Sequence, residues 1–380
     1  MSSALDTVTE VSSENIFTRL KNAIVGVFFG ILFIIGGIVC LFWNEGRAVK
    51  TATGLNEGKG KVILVSNNKI DPENQNKLIH LTGLLTTTDT LNDAPYKIKT
   101  KALKLNRIVE TYQFKENSKS ESKEKIGGTK TTTTTYSYEK IWSKEIIKSD
   151  NFKEQANHKN IIKFNIASQE KTSKNVNLGV FNLSTNLIAI ISGFEKMPIT
   201  TFDTIANKQT TLNDGVIYMG SKNIVNPEIG DVRISFEIIN PKEVSIIAAQ
   251  VNNKLDTYTT KNGSNILMLS NGNVAATQMF KEAIEGNTIL TWVLRLVGFI
   301  MLFIGFKLIL SPIATVGSVL PLFGNILSFG TGIISFVLAA AIALIIIAIA
   351  WFIFRPILSI ILIAAAIGIF FGVKYLKKKK

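Results

Sequence analysis

KNAIVGVFFGILFIIGGIVCLFWNEGRAVK, residues 21–50, decides how this chain is organised. No charge occurs between Lys21 and Glu45. A transmembrane helix needs ~20 apolar residues, and the run supplies them. It is longer than the ~7–15 residue apolar core of a cleaved export signal and ends on Phe42 and Trp43 instead of small residues, so 23–43 reads as a retained span. FWNEGR is then an interfacial edge, with the amphipathic ring of Trp43 at headgroup level and Arg47 and Lys50 following it into water.

The same reading extends to the other end of the 380 residues, where charge nearly vanishes over 288–373. That block divides into spans at 290–310, 333–354 and 357–376, giving four transmembrane helices in a 1 + 3 arrangement. Arg19 and Lys21 precede the first span and KYLKKKK ends the last, whereas the turn between the third and fourth spans has only Arg355 before Pro356. The basic flanks place both termini in the cytoplasm and the hydrophilic middle outside it. The expected layout is a cytoplasmic tail at 1–22, an extracytoplasmic or luminal domain at 44–289 and a basic cytoplasmic tail at 377–380. The charge-free stretch 311–332 has apolar residues at helical intervals but no Lys or Arg, and reads as interfacial or re-entrant.

Within the middle, KVILV, KLIHLTGLL, ALKLNRIVETYQF and TTTTTYSYEKIW are rich in β-branched and aromatic residues and predict antiparallel strands. The polar stretch 115–130 reads as a flexible hairpin tip, and 175–193 as a helix closed by Gly193. Strands resume with GVIYMGS, DVRISFEII and EVSIIAAQVNN, and 273–290 is a helix leading into the second span. The fold class expected is a membrane α-helical bundle with an inserted α+β, mainly antiparallel β, extracytoplasmic domain. The rhythm of KLIHLTGLL with LKLNRIVETYQF matches that of DVRISFEII with VSIIAAQVNNKLDTY, which fits two related β units as well as two unrelated meanders.

The net charge of +14 is partly topogenic and otherwise dispersed, without the basic stripe and interleaved aromatics of a nucleic-acid binder. The single cysteine, Cys40, lies in the first span, so an ordinary core must hold the outer domain. His80 and His158 have no Cys or acidic neighbour at ligand spacing, no serine sits in a nucleophile elbow, and no glycine-rich phosphate loop follows a strand. No catalytic, metal or cofactor residue is assigned. The structural candidates are Trp43, Asn44, Glu45, Gly46, Arg47, Arg295, Trp351, Arg355 and Pro356. Glu45 and Arg355 emerge at one membrane face, each near a tryptophan, so Glu45 is expected to pair with Arg355 or, failing that, with Arg295, locking the first helix onto the other three.

FWNEGRAVKT, LIHLTGLL, ALKLNRIVETYQF, YSYEKIWS, GDVRISFEI and WFIFRP occur in an order that resembles the LUMA family, the four-span transmembrane protein 43 group. The resemblance runs from about residue 40 and diverges in the first twenty residues and the lysine tail. It implies a non-enzymatic scaffold that organises membrane protein complexes, with the lipid bilayer, other membrane proteins and further copies of itself as partners. The competing reading is a ligand- or lipid-sensing or transport-accessory protein. A bacterial source would make the middle domain periplasmic and the membrane the inner one. A eukaryotic source would make the domain luminal in the endoplasmic reticulum or inner nuclear membrane, with Asn182 and Asn262 heading Asn-x-Ser sequons.

Overall fold

The computed structural model describes residues 7–163, 166–199, 210–213, 215–220, 224–319 and 321–361. Its helices are α1 (Ile16–Lys61), α2 (Thr185–Ile190), α3 (Ala276–Gly317) and α4 (Pro321–Phe354). Asn15 caps α1 by accepting from the Thr18 N–H at 2.8 Å, and Lys59 and Lys61 in the last turn oppose the negative end of the dipole. At 1.5 Å per residue α1 is about 69 Å long, more than twice a hydrocarbon core. It therefore carries its axis well past any bilayer.

α1, α3 and the Phe329–Phe354 part of α4 are each long and apolar enough to cross a membrane. α1 and α3 run antiparallel with backbones in contact: a Cβ on Gly30 would come 2.8 Å from the Gly305 carbonyl oxygen, and one on Gly37 would come 3.0 Å from that of Gly298. Small residues allow such close approach, which is how helices associate where no hydrophobic force acts between them. Leu41, Leu302, Ala339 and Ala343 fill the three-helix core. Phe28, Phe29 and Leu32, Leu296 and Val297, and Phe336 and Leu344 point outward as an apolar belt. A belt of that extent belongs against lipid.

Residues 311–332 divide between the two helices: α3 continues through Pro312 to Gly317, and α4 starts at Pro321. Residues 356–361 are helical after Pro356. The remainder of the fourth expected span, 362–376, lies outside the described residues, as does the basic tail.

The middle of the chain folds as β1 (Thr7–Glu14), β2 (Leu78–Thr87), β3 (Lys104–Glu124), β4 (Lys130–Ser143), β5 (Val176–Leu178), β6 (Phe181–Leu183), β7 (Thr210–Asn213), β8 (Val216–Met219), β9 (Val232–Ile239), β10 (Glu243–Val251) and β11 (Lys254–Asp256), with shorter strands between them. β2, β10, β11, β6 and β5 pair in a closed ring, a small barrel in which only the β11–β6 pair is parallel. Ile79, Leu81, Leu178, Phe181, Ile246 and Leu255 fill it, with Leu187, Ile188 and Ile191 from and just after α2. Leu78 and Ile247 turn the other way, onto Leu55 of α1 and Met279 and Phe280 of α3. The barrel is thereby seated on the extensions of two bundle helices.

A second sheet runs β1-β4-β3-β9-β8-β7. β9 and β10 are joined at a corner, where Leu103 N–H donates to the Ile239 carbonyl and Leu85 N–H to that of Lys242. The two strand pairs with matching sequence rhythm thus pair with each other, β2 with β10 and β3 with β9.

Two local expectations are corrected. Residues 175–193 form a β hairpin before any helix, because Gly179 at φ +59° turns β5 back along β6, and only 185–190 are helical, capped by Ser184. Residues 115–124 are strand, and the turn is confined to 125–129. Opposed hydroxyls and charges hold the ladder: Ser120 with Thr134 and Ser122 with Thr132 at 2.9 Å each, and Lys115 with Glu139 at 3.3 Å.

β3 and β4 run beyond the sheet as an arm whose tip lies on the first turn of α1. Arg19 donates to the Gly128 carbonyl at 2.6 Å and pairs with Glu124, while Gly127 N–H donates to the Val319 carbonyl at 3.0 Å. From Tyr112 to Glu124 the arm extends about 40 Å, matching about 37 Å of helix from Arg19 to Asn44. Lys115, Glu116, Lys119, Glu121 and Lys123 lie along it. A basic or acidic group costs about 2.5–3.5 kcal/mol at the centre of a bilayer. An arm carrying these charges therefore does not belong within a hydrocarbon core.

Candidate functional site

Where the bundle meets the β domain, the antiparallel register of α1 and α3 brings Asn44 level with Thr291 and Arg47 level with Asn287. On α3, Asn287, Thr291 and Arg295 recur every four residues and so form one stripe. That stripe faces NEGR.

Glu45 is fully buried. Its Oε1 accepts from Arg295 Nε at 2.6 Å and its Oε2 from the Trp351 indole N–H at 2.9 Å. A single carboxylate on α1 therefore ties both α3 and α4. The Arg295 guanidinium lies 4.7 Å from the Trp292 ring centroid and 5.8 Å from that of Trp351, so the cation is flanked by two aromatic faces besides its carboxylate.

The next layer up is neutral apart from Arg47. Asn44 Nδ2 donates to the Thr291 carbonyl at 3.0 Å, and Asn44 Oδ1 accepts from Arg47 Nε and Nη2 at 3.3 and 3.1 Å. Arg47 also donates to Asn287 Oδ1 at 2.8 Å and to Thr291 Oγ1 at 3.0 Å, and Asn287 Nδ2 returns a bond to the Ala48 carbonyl at 3.0 Å. Charged and neutral polar groups buried this near a membrane need partners, and each has them. Gly46 is where α4 touches α1: a Cβ there would come 2.8 Å from the Phe354 ring, whose centroid is 5.4 Å from that of Phe42.

Of the two partners expected for Glu45, the structure supplies Arg295 and not Arg355. Both carboxylate oxygens are already engaged, and Arg355 stacks on Trp351 instead, its guanidinium 5.7 Å from the ring centroid. Pro356 opens the next helical stretch. Trp43 is 58 % exposed and points away from the cluster, as an interfacial anchor does. Asn287, Thr291 and Trp292 were missed in the sequence; the four-residue repeat of polar positions on α3 was the available signal.

Above this layer α1 remains clamped to the domain. Asn262 Nδ2 and Ser264 Oγ donate to the Lys50 carbonyl at 2.8 and 3.1 Å, and Val180 N–H donates to the Asn67 carbonyl at 2.9 Å. His80 donates from Nε2 to the Val274 carbonyl at 2.9 Å, and His158 is buried against Tyr138, ring centroids 3.7 Å apart. Among the described residues no group of three His, Cys, Asp or Glu is placed to hold a metal ion.

A bundle of apolar helices, cross-tied by buried polar groups and continuous with a mainly antiparallel β domain containing a small barrel, defines a membrane protein. The family model for transmembrane protein 43 matches residues 111–356. Transmembrane protein 43 of Homo sapiens is 30 % identical over 367 residues, covering 94 % of this chain and 91 % of that protein. The Mus musculus protein is 33 % identical over 307 residues, 78 % and 76 % of the two chains, and the Drosophila melanogaster homolog 27 % over 280 residues, 72 % and 74 %. This chain belongs to the transmembrane protein 43 family. No solved structure matches it.

Proposed function

We propose that the protein is a non-enzymatic membrane scaffold that uses its bundle and β domain to organise complexes of membrane proteins, including further copies of itself. The observation that carries this reading is the Glu45 tie. It joins three helices at the level where α1 and α3 pass unbroken into the domain, so bundle and barrel hold one fixed relation. A fixed relation suits a presenting surface more than a turnover cycle. In this reading four spans cross the membrane, both termini are cytoplasmic, and the β domain with its arm lies on the other side, the arm standing clear of the bundle. Native mass spectrometry of the full chain extracted from its own membranes tests the proposal. A complex of fixed composition containing other membrane proteins is expected; a chain that is monomeric and alone in every extraction overturns it.

A ligand-sensing role has one observation in its favour. A cavity of about 490 Å³ is lined by Leu64, Val65, Asn67, His80, Leu81 and Ala276, at the junction of the α1–barrel linker with the first turn of α3. A small molecule there would bear on both helices entering the membrane. Thermal-shift screening in which one compound stabilises the full chain would favour that reading.

A further inference from the structure

Around the Glu45 layer the charges do not balance. Residues 44–50, 287–295 and 351–355 hold four cations, Arg47, Lys50, Arg295 and Arg355, against the single carboxylate of Glu45, a net of +3. Glu45 is committed to Arg295, and Arg47 is turned into the helix interface by Asn44, Asn287 and Thr291. Among the described residues no ion pair reaches Arg355, which is half-buried beside Trp351. Since Trp351 spends its N–H on Glu45, its ring faces remain available to the two guanidinia.

The level of Arg355 in a bilayer follows from its neighbours. Trp43 and Trp292 are exposed by 58 % and 64 %, and amphipathic tryptophans of that kind mark the headgroup boundary. The abundant anion at that depth is a lipid phosphate, whose oxygens match the guanidinium fork. A choline headgroup adds a cation to a surface already positive, whereas an anionic headgroup adds none.

We propose that Arg355, supported on the face of Trp351, is the recognition residue of a phosphate site for anionic phospholipid in the leaflet adjoining the β domain. Phe42, Phe352 and Phe354 provide the apolar surface below it. Loss of the site leaves the Glu45–Arg295 tie intact, because Arg355 makes no contact with Glu45.

The chain has four tryptophans, so W43F/W142F/W292F leaves Trp351 as the sole reporter. The full-length protein in nanodiscs is titrated with phosphatidylglycerol or phosphatidylcholine brominated on the upper acyl carbons, at equal mole fractions, and Trp351 quenching is read. A preference of about fivefold for the anionic lipid is expected, the factor for about 1 kcal/mol per basic residue at an anionic surface. R355Q should bring it close to unity and R355K should retain part of it. Equal quenching by both lipids in the reporter protein, a measurement that needs no variant at Arg355, overturns the proposal, as does an unchanged preference in a folded R355Q. Inorganic phosphate and glycerophosphoglycerol at millimolar concentration separate the sources: a lipid site keeps its preference in their presence, and its abolition would assign the site to free phosphate instead.

Discussion

Removing the Glu45 carboxylate is the perturbation with the clearest expected size. Glu45→Ala deletes two charge-assisted bonds, to Arg295 at 2.6 Å and Trp351 at 2.9 Å, and leaves the guanidinium without its counter-ion. Breaking a buried pair from one side costs about 3–5 kcal/mol, whereas an interhelical hydrogen bond in a membrane protein is worth ~0.6 kcal/mol on average. The charge effect dominates. Arg295 retains some solvent access and two tryptophan faces, so this variant should fall at the lower end, about 3 kcal/mol. Arg295→Met should cost more, about 4–5 kcal/mol, because Glu45 is fully buried and, among the described residues, Arg295 is the cation paired with it. Replacing the pair with apolar groups, E45L/R295M, removes the unmatched charge and should recover most of the loss. The assay is reversible unfolding in mixed dodecyl maltoside and dodecyl sulfate micelles, followed by helical circular dichroism, with a coupling energy of about 2 kcal/mol or more expected. Strictly additive losses, or rescue of Glu45→Arg by Arg355→Glu instead of by Arg295→Glu, would refute the reasoning.

Gly30→Ala and Gly305→Ala place a methyl 2.8 Å from a facing backbone carbonyl, and Gly298→Ala places one 2.6 Å from the fully buried Leu41 side chain; in the same assay each should lose about 1–3 kcal/mol. Topology is read by single cysteines at Ser118 and Lys380 in a Cys40→Ala background with an impermeant thiol reagent, where labelling at 118 alone is expected and labelling at 380 would remove the four-span assignment. Ser12 and Thr132 stand opposite each other in the β1–β4 ladder, yet S12C/T132C should not cross-link in intact membranes, because the proposed topology puts them on opposite faces of the bilayer; a cross-link there would put the N-terminal strand and the arm on one side and overturn that topology.

Much of the bundle was legible because membrane burial is a property of local composition: a run such as 23–43 must lie in lipid whatever its neighbours are. The antiparallel strands around LIHLTGLL and DVRISFEI were readable for a similar reason, their β-branched alternation being confined to a few consecutive residues. The charged corner at FWNEGR announced itself by position, at the edge of the apolar run. Its partner did not. Arg355 and Arg295 are equivalent by composition, and the choice between them rests on the rotation of α1 against α3, set by the Gly30–Gly305 and Gly37–Gly298 contacts, and on Trp351 occupying the second carboxylate oxygen. The segment 175–193 misled because its apolar spacing suits a helix, while the left-handed turn at Gly179 and pairing with β2 and β11 make its first half a strand pair. Sequence alone therefore marked the three apolar helices and most of the longer strands, since those follow from each segment's own chemistry. Which buried charge meets which, where the arm's polar ladder runs and how the barrel sits on α1 and α3 depended on contacts between residues as much as 306 positions apart, for which no local pattern exists.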